Sequence, residues 1–169
     1  PCLLGGITLS NGIKIEQIRK LPVPENLYLA LATPDIEVPT AEARAVLPKE
    51  IPLKSMIRHT GAVGLLVDAL YRNDVSAMAA AMECDLIIEP ARQHLMPFLA
   101  EIRVAAKHAG ALALVISGAG PTLMAVCDNA TIAAQVTQAM CTIYDSAEIA
   151  CLTRSTRVLK DGAFVLSIQ

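Results

Sequence analysis

Residues 111–127 constrain the chain most. Two short apolar runs, Ala111 to Ser117 and Leu123 to Cys127, are joined by Gly118, Ala119, Gly120, Pro121 and Thr122. Two glycines and a proline between β-prone runs predict a strand, a tight loop and a strand. Gly118 and Gly120 can take positive φ and admit another backbone or a phosphate at close range. Ser117 and Thr122 place a hydroxyl on either side. By itself such a loop is also ordinary hairpin chemistry with no ligand. The uncharged run from Ala109 to Cys127 is long enough to raise a membrane question, but the breakers at its middle exclude a spanning helix.

The rest of the chain arranges itself around this hairpin. Ile7 to Ser10 and Ile13 to Ile18 predict two strands about the turn Asn11-Gly12. Leu27 to Ala32 reads as a buried strand, ended by Pro34 and Pro39. Thr40 is placed to cap a helix over Ala41 to Leu47, with Glu42 in its first turn. Helical spacing recurs over Leu53 to Arg72 and Val75 to Glu83, where Met78 and Met82 read as core packing. Ala91 to Ala109 predicts one long helix kinked at Pro97 and capped by Gly110. After the central hairpin come a helix over Thr131 to Tyr144, started by Asp128 or Asn129, and a strand at Ile149 to Thr153. Arg157 to Leu159 and Phe164 to Ile168 read as a last strand pair. Without the N-terminal hairpin the order is β-α-β-β-α-β. The fold class is therefore α+β: a ferredoxin-like antiparallel sheet with helices on one face and extra helices in the first crossover.

Composition narrows the function classes. Apolar residues make up 54% and charged residues 18% of 169, which argues for a packed core and against disorder. Net charge is −2, with three tyrosines, two phenylalanines and no tryptophan. That leaves no basic or aromatic platform for nucleic acid. Five cysteines without a C-x-x-C read as buried free thiols in a reducing compartment. His59, His94 and His108 lack metal-ligand spacing, so no metal site is expected. His59 reads as a core or surface residue, His94 points away from Arg92, and His108 suits a helix end. Asp85 and Glu89, four apart, are a paired-carboxylate candidate or simply a solvated helix end beside Pro90. No serine sits in a G-x-S-x-G elbow.

Two further segments carry candidate chemistry. In Thr40 to Pro48, Arg44 follows Thr40 by four residues, so both share one side of a short helix. Taken alone, Arg44 is also a surface arginine for Glu37 or Glu42. In Glu89 to Pro97, Arg92 falls in what reads as a helix first turn, where a cation is disfavoured. An anionic ligand or Glu89 itself would answer it.

Together the three segments resemble the GHMP kinases, and within them the homoserine kinase family. Ser117 to Thr122 is similar to that family's S-G-S-G-P-T loop, with Ala119 at the second serine. Pro39 to Pro48 resembles S-T-x-x-A-R-x-x-L-P, with Pro39 at the serine. Glu89 to Pro97 resembles E-P-x-R-x-x-L-x-P. The family usually follows that last proline with glycine, where this chain has Phe98. Pro1 to Gly6 resembles the family's P-x-x-x-G-G near the junction between its two halves.

The resemblance implies that Arg44 and Arg92 hold the homoserine α-carboxylate, with Thr40 nearby, and a guanidinium suits that bidentate task. It implies that Ser117, Gly118, Ala119, Gly120, Pro121 and Thr122 support the phosphate loop. ATP and Mg²⁺ are the implied cofactors, homoserine the implied substrate, and threonine biosynthesis in the cytoplasm the implied setting. The main phosphate motif, P-x-x-x-G-L-G-S-S-A, is absent, and so is a Walker lysine. The chain therefore reads as a C-terminal fragment with no catalytic residue of its own and no activity alone. Residues 1–26 form a hairpin and junction with a missing N-terminal domain, and 27–169 the C-terminal domain. Apolar surface left by that missing half leaves a homodimer open. Other readings are another GHMP small-molecule kinase, such as a mevalonate or diphosphocytidyl-methylerythritol kinase, or a ferredoxin-like module that binds an amino acid without catalysis.

Overall fold

The computed structural model describes residues 3–10, 12 and 17–166. Its elements run β1 (Ile7–Leu9), β2 (Arg19–Leu21), β3 (Tyr28–Pro34), α1 (Thr40–Ala45), α2 (Leu53–Tyr71), α3 (Val75–Met82) and α4 (Ile88–Arg92). A 3₁₀ turn at Gln93–Leu95 follows, then α5 (Leu99–His108), β4 (Ala113–Ile116), β5 (Leu123–Cys127), α6 (Ala130–Ser146) and β6 (Cys151–Arg157).

The four long strands form one antiparallel sheet in the order β4-β5-β3-β6. This is the expected β-α-β-β-α-β unit, with β3 and β5 at its centre and the β4–β5 hairpin at one edge. β1 pairs with β2 in a separate two-stranded ribbon, Ile7 opposite Leu21. The expected partner strand at Ile13 to Ile18 is thus replaced by Arg19–Leu21. Asn11 and residues 13–16 lie outside the described residues.

Alternation along the strands sorts the core into two layers. Ala30, Ala32, Leu114, Leu123, Ala125 and Cys127 face one side and pack on α5 and α6. Buried Ala133, Val136, Met140 and Tyr144 of α6 recur at helical spacing. Ala113 and Val126 face the other side and meet Leu70, Val75, Met78 and Ala79 of α2 and α3. Helices therefore cover both faces, not one. The inserted α2–α3 pair supplies a second apolar layer, and Ile7 and Leu21 of the small ribbon pack against it.

Local chemistry explains most element ends. Asn129 accepts the Ile132 N–H at 2.9 Å and starts α6, and Asp74 does the same for α3 through Ala77. Gly110, at φ +102, ends α5 in the left-handed region. Thr40 does not cap α1: it is the first helical residue, and Pro39 precedes it without a side-chain cap. The single kinked helix expected from Ala91 to Ala109 is instead two helices. Pro90 sits within the first turn of α4, where its missing N–H costs nothing. The chain then breaks at Phe98, which takes φ +61 before α5 begins. That is the position where the resembling family has glycine. The Phe98 ring stands edge-on to Tyr144, centroids 6.4 Å apart, and this contact offsets the backbone strain. β6 runs as one strand through Arg157, and residues 164–166 form no strand. The rest of the expected last strand lies outside the described residues.

Candidate functional site

The site lies where the β4–β5 loop meets α1 and α4. Within the loop the Ser117 amide donates to the Thr122 carbonyl at 2.9 Å, and the Gly120 amide to the Ser117 carbonyl at 3.1 Å. The amides of Gly118 and Ala119 donate to no protein acceptor among the described residues. Gly118 and Gly120 both take positive φ, at +64 and +87. A Cβ on Gly120 would stand 2.3 Å from the Met96 Cε, whereas one on Gly118 would meet nothing within 4 Å. Positive φ thus favours glycine at both positions, and at 120 an added Cβ would also push the end of the Met96 side chain aside. Thr122 and Thr33 share a hydroxyl hydrogen bond at 2.9 Å, which fixes the loop to the adjacent end of β3.

Arg92 joins the pieces. Its Nε donates to the Ala43 carbonyl of α1 and its Nη1 to the Gly118 carbonyl, both at 2.9 Å. One guanidinium so ties α1 to the glycine loop and keeps further N–H donors for another acceptor. Arg92 lies in the last turn of α4, where a cation suits the helix dipole, and not in a first turn as its place after Pro90 suggests. Arg44 follows the tethered Ala43. Its side chain is exposed and makes no ion pair with Glu37, Glu42 or any other described residue. Thr40 is exposed at the start of the same helix. The structure thus brings Arg92, the Arg44-bearing helix and the loop together through backbone carbonyls.

A cavity of about 260 Å³ opens beside Arg92 and Gly118, lined also by His59, Asp85, Glu89 and Ile116. Asp85 accepts the amides of Ile87, Ile88 and Glu89 at 2.8–2.9 Å and so starts α4. Burial alone would raise its carboxyl, but those three amides and nearby His59 outweigh it and hold the group below its ordinary value. His59 Nδ1 stands 3.5 Å from the Asp85 Oδ1 without a hydrogen bond. Glu89 pairs with Arg103, and neither with Arg92 nor as an acid–base partner of Asp85. Burial pushes its carboxyl above the usual glutamate range; Arg103 and the Ile116 amide pull it down, while Asp85 and Glu83 add to the rise. The approach of His59 to Asp85 is not signalled by sequence spacing, because the two lie 26 residues apart on separate elements.

Among the described residues no three His, Cys, Asp or Glu side chains gather as a metal site. No helix is long and apolar enough to cross a membrane.

Comparison with known proteins bears on the family and the fold. The family described as GHMP kinases C terminal matches residues 66–146. The homoserine kinase of Chloroherpeton thalassium is 39% identical over 140 residues, covering 83% of this chain and 44% of the relative. The crystal structure of homoserine kinase from Cytophaga hutchinsonii superposes with a TM-score of 0.90 at 38% identity, over 96% of this chain and 51% of that one. The L. major mevalonate kinase structure, at 15% identity and a TM-score of 0.66, shares the fold. The chain spans about half the length of the curated relatives it matches. By its loop, its sheet and these matches, the chain belongs to the GHMP kinases, as a C-terminal domain of that family.

Proposed function

We propose that this chain is the C-terminal part of an ATP-dependent homoserine kinase. The enzyme transfers the γ-phosphoryl group of ATP to the homoserine hydroxyl, giving O-phosphohomoserine for threonine biosynthesis. The observation that carries the reading is the double tether of Arg92, which draws α1 and the glycine loop to one wall. On this reading the remaining N–H groups of Arg92 and the unpaired guanidinium of Arg44 hold the substrate carboxylate, with the Thr40 hydroxyl beside them. The free amides of Gly118 and Ala119 support phosphate from the loop side.

Phosphoryl transfer asks mainly for positioning and charge stabilisation, and a preset guanidinium pair provides the first. Mg²⁺ would accompany the nucleotide. Residues 1–26 form the junction with an N-terminal domain that carries the main phosphate loop, so residues 1–169 alone turn over no homoserine.

The test uses the full-length protein. Arg44→Ala and Arg92→Ala should each raise the KM for homoserine about 10- to 100-fold, the loss of one charged hydrogen bond, and change the KM for ATP little. Equal effects on both substrates would overturn the carboxylate role.

A further inference from the structure

β4 is an edge strand, yet its outer polar groups are not left to solvent. The Leu112 carbonyl accepts from Lys107 Nζ at 2.6 Å. The Leu114 amide donates to Glu83 at 3.0 Å, and the Leu114 carbonyl accepts from Arg103 Nη1. The Ile116 amide hydrogen-bonds the Glu89 carboxylate, and the Gly118 carbonyl accepts from Arg92. Five side chains of alternating sign thus take the place of a fifth strand. They also pair with one another: Lys107 with Glu83 at 2.7 Å, Glu83 with Arg103 at 3.4 Å, and Arg103 with Glu89.

Glu89 and Arg92 are one turn apart on α4, so whatever fixes Glu89 fixes the base from which Arg92 reaches. Arg103 is the hub. Its two terminal nitrogens grip α3 through Glu83, β4 through Leu114 and α4 through Glu89. The five-residue α4 has no fully buried side chain, so packing alone holds it weakly.

We propose that Arg103 is a positioning residue for the substrate pocket: by clamping Glu89 to the edge of β4, it sets where the Arg92 guanidinium is presented. The link to substrate affinity rests on the reading of Arg92 as a carboxylate ligand, whereas the clamp itself does not.

The experiment therefore has two arms, both on the full-length protein. In the first, the Arg92 Nε–H resonance, assigned by its loss in Arg92→Lys, is followed by ¹⁵N NMR in Arg103→Met, Arg103→Lys and Glu89→Gln. Arg103→Met and Glu89→Gln should shift or broaden it, and Arg103→Lys should shift it less. In the second, Arg103→Met should raise the homoserine KM about tenfold while kcat and the ATP KM change less than about twofold, as expected for lost ground-state positioning. Arg103→Lys should recover part of the loss. Combining Arg103→Met with Glu89→Gln should add little beyond either alone, because both break one clamp. An unmoved Arg92 signal in folded Arg103→Met and Glu89→Gln would overturn the proposal. So would a lowered thermal midpoint with both KM values unchanged. A moved signal in a protein whose wild type does not phosphorylate homoserine would keep the clamp and reject the substrate.

Discussion

The two edges of the sheet are finished in opposite ways. β4 is sealed by side chains from α3, α4 and α5, and its last bond leads into the glycine loop. β6, at the other edge, receives no hydrogen bond onto its backbone from another element's side chain beyond its pairing with β3, among the described residues. Its Leu152 is 77% exposed. Arg157 lies over the Tyr28 ring at 5.1 Å, which steadies the strand through a face and not along its rim. The edge that carries the glycine loop is built from charge pairs with fixed geometry. The edge without such a loop keeps ordinary exposed residues.

The comparison can be strained from several sides. The largest effect belongs to the loop that ends the sealed edge. Gly120→Ala combines a φ of +87 with a 2.3 Å approach to Met96 and should cost about 2–3 kcal/mol in chemical denaturation, against about 1 kcal/mol for Gly118→Ala, where only φ is strained. Equal costs would show that Met96 yields freely. Next comes the edge itself. Glu83→Ala leaves the Leu114 amide unpartnered and should cost about 1–3 kcal/mol, whereas Thr156→Ala on β6 should cost under about 0.5 kcal/mol. Similar losses at both edges would erase the contrast drawn here.

A smaller effect follows pH. The Asp85 carboxyl is held below its ordinary value, near 3.8, so its contribution is present above that pH and disappears as pH falls through the lower folded value. The stability gap between wild type and Asp85→Ala, measured by urea unfolding, should be full at pH 7 and close in that acid window. A gap that persists there would sink the capping argument. Smallest is a difference in labelling rate. Burial raises the thiols of Cys127 in β5 and Cys151 in β6 to about 11, so at pH 8 only about a thousandth of each is thiolate. Exposed Cys84, just beyond α3, should react with a disulfide reagent before either of them.

Much of this was written in the chain. The strand–loop–strand at 111–127 and the α6 start at Asn129 are local patterns that survive into structure, whereas the helix boundaries around Thr40 and Arg92 shift because prolines and the turn at Phe98 redraw them. What the sequence hides is pairing across distance. Glu83, Glu89, Arg103 and Lys107 lie on three different helical segments, and nothing in their spacing announces that they meet along one strand. Phe98 hides for another reason. A left-handed residue is signalled by glycine, and the aromatic there gains a contact with Tyr144 of α6 that sequence spacing does not announce. The second helical layer was invisible because α2 and α3 show apolar spacing without saying which side of a sheet they will cover.

Beyond β6 the backbone doubles back against residues 3–6. The Gly6 amide donates to the Leu159 carbonyl at 2.7 Å, and a Cβ on Gly162 would come within 2.1 Å of the Leu3 oxygen. One methyl group at 162 would thus act as a wedge, prising two remote stretches apart without touching the sheet. It offers a mechanical handle for loosening that seam while the turn between β4 and β5 stays as it is.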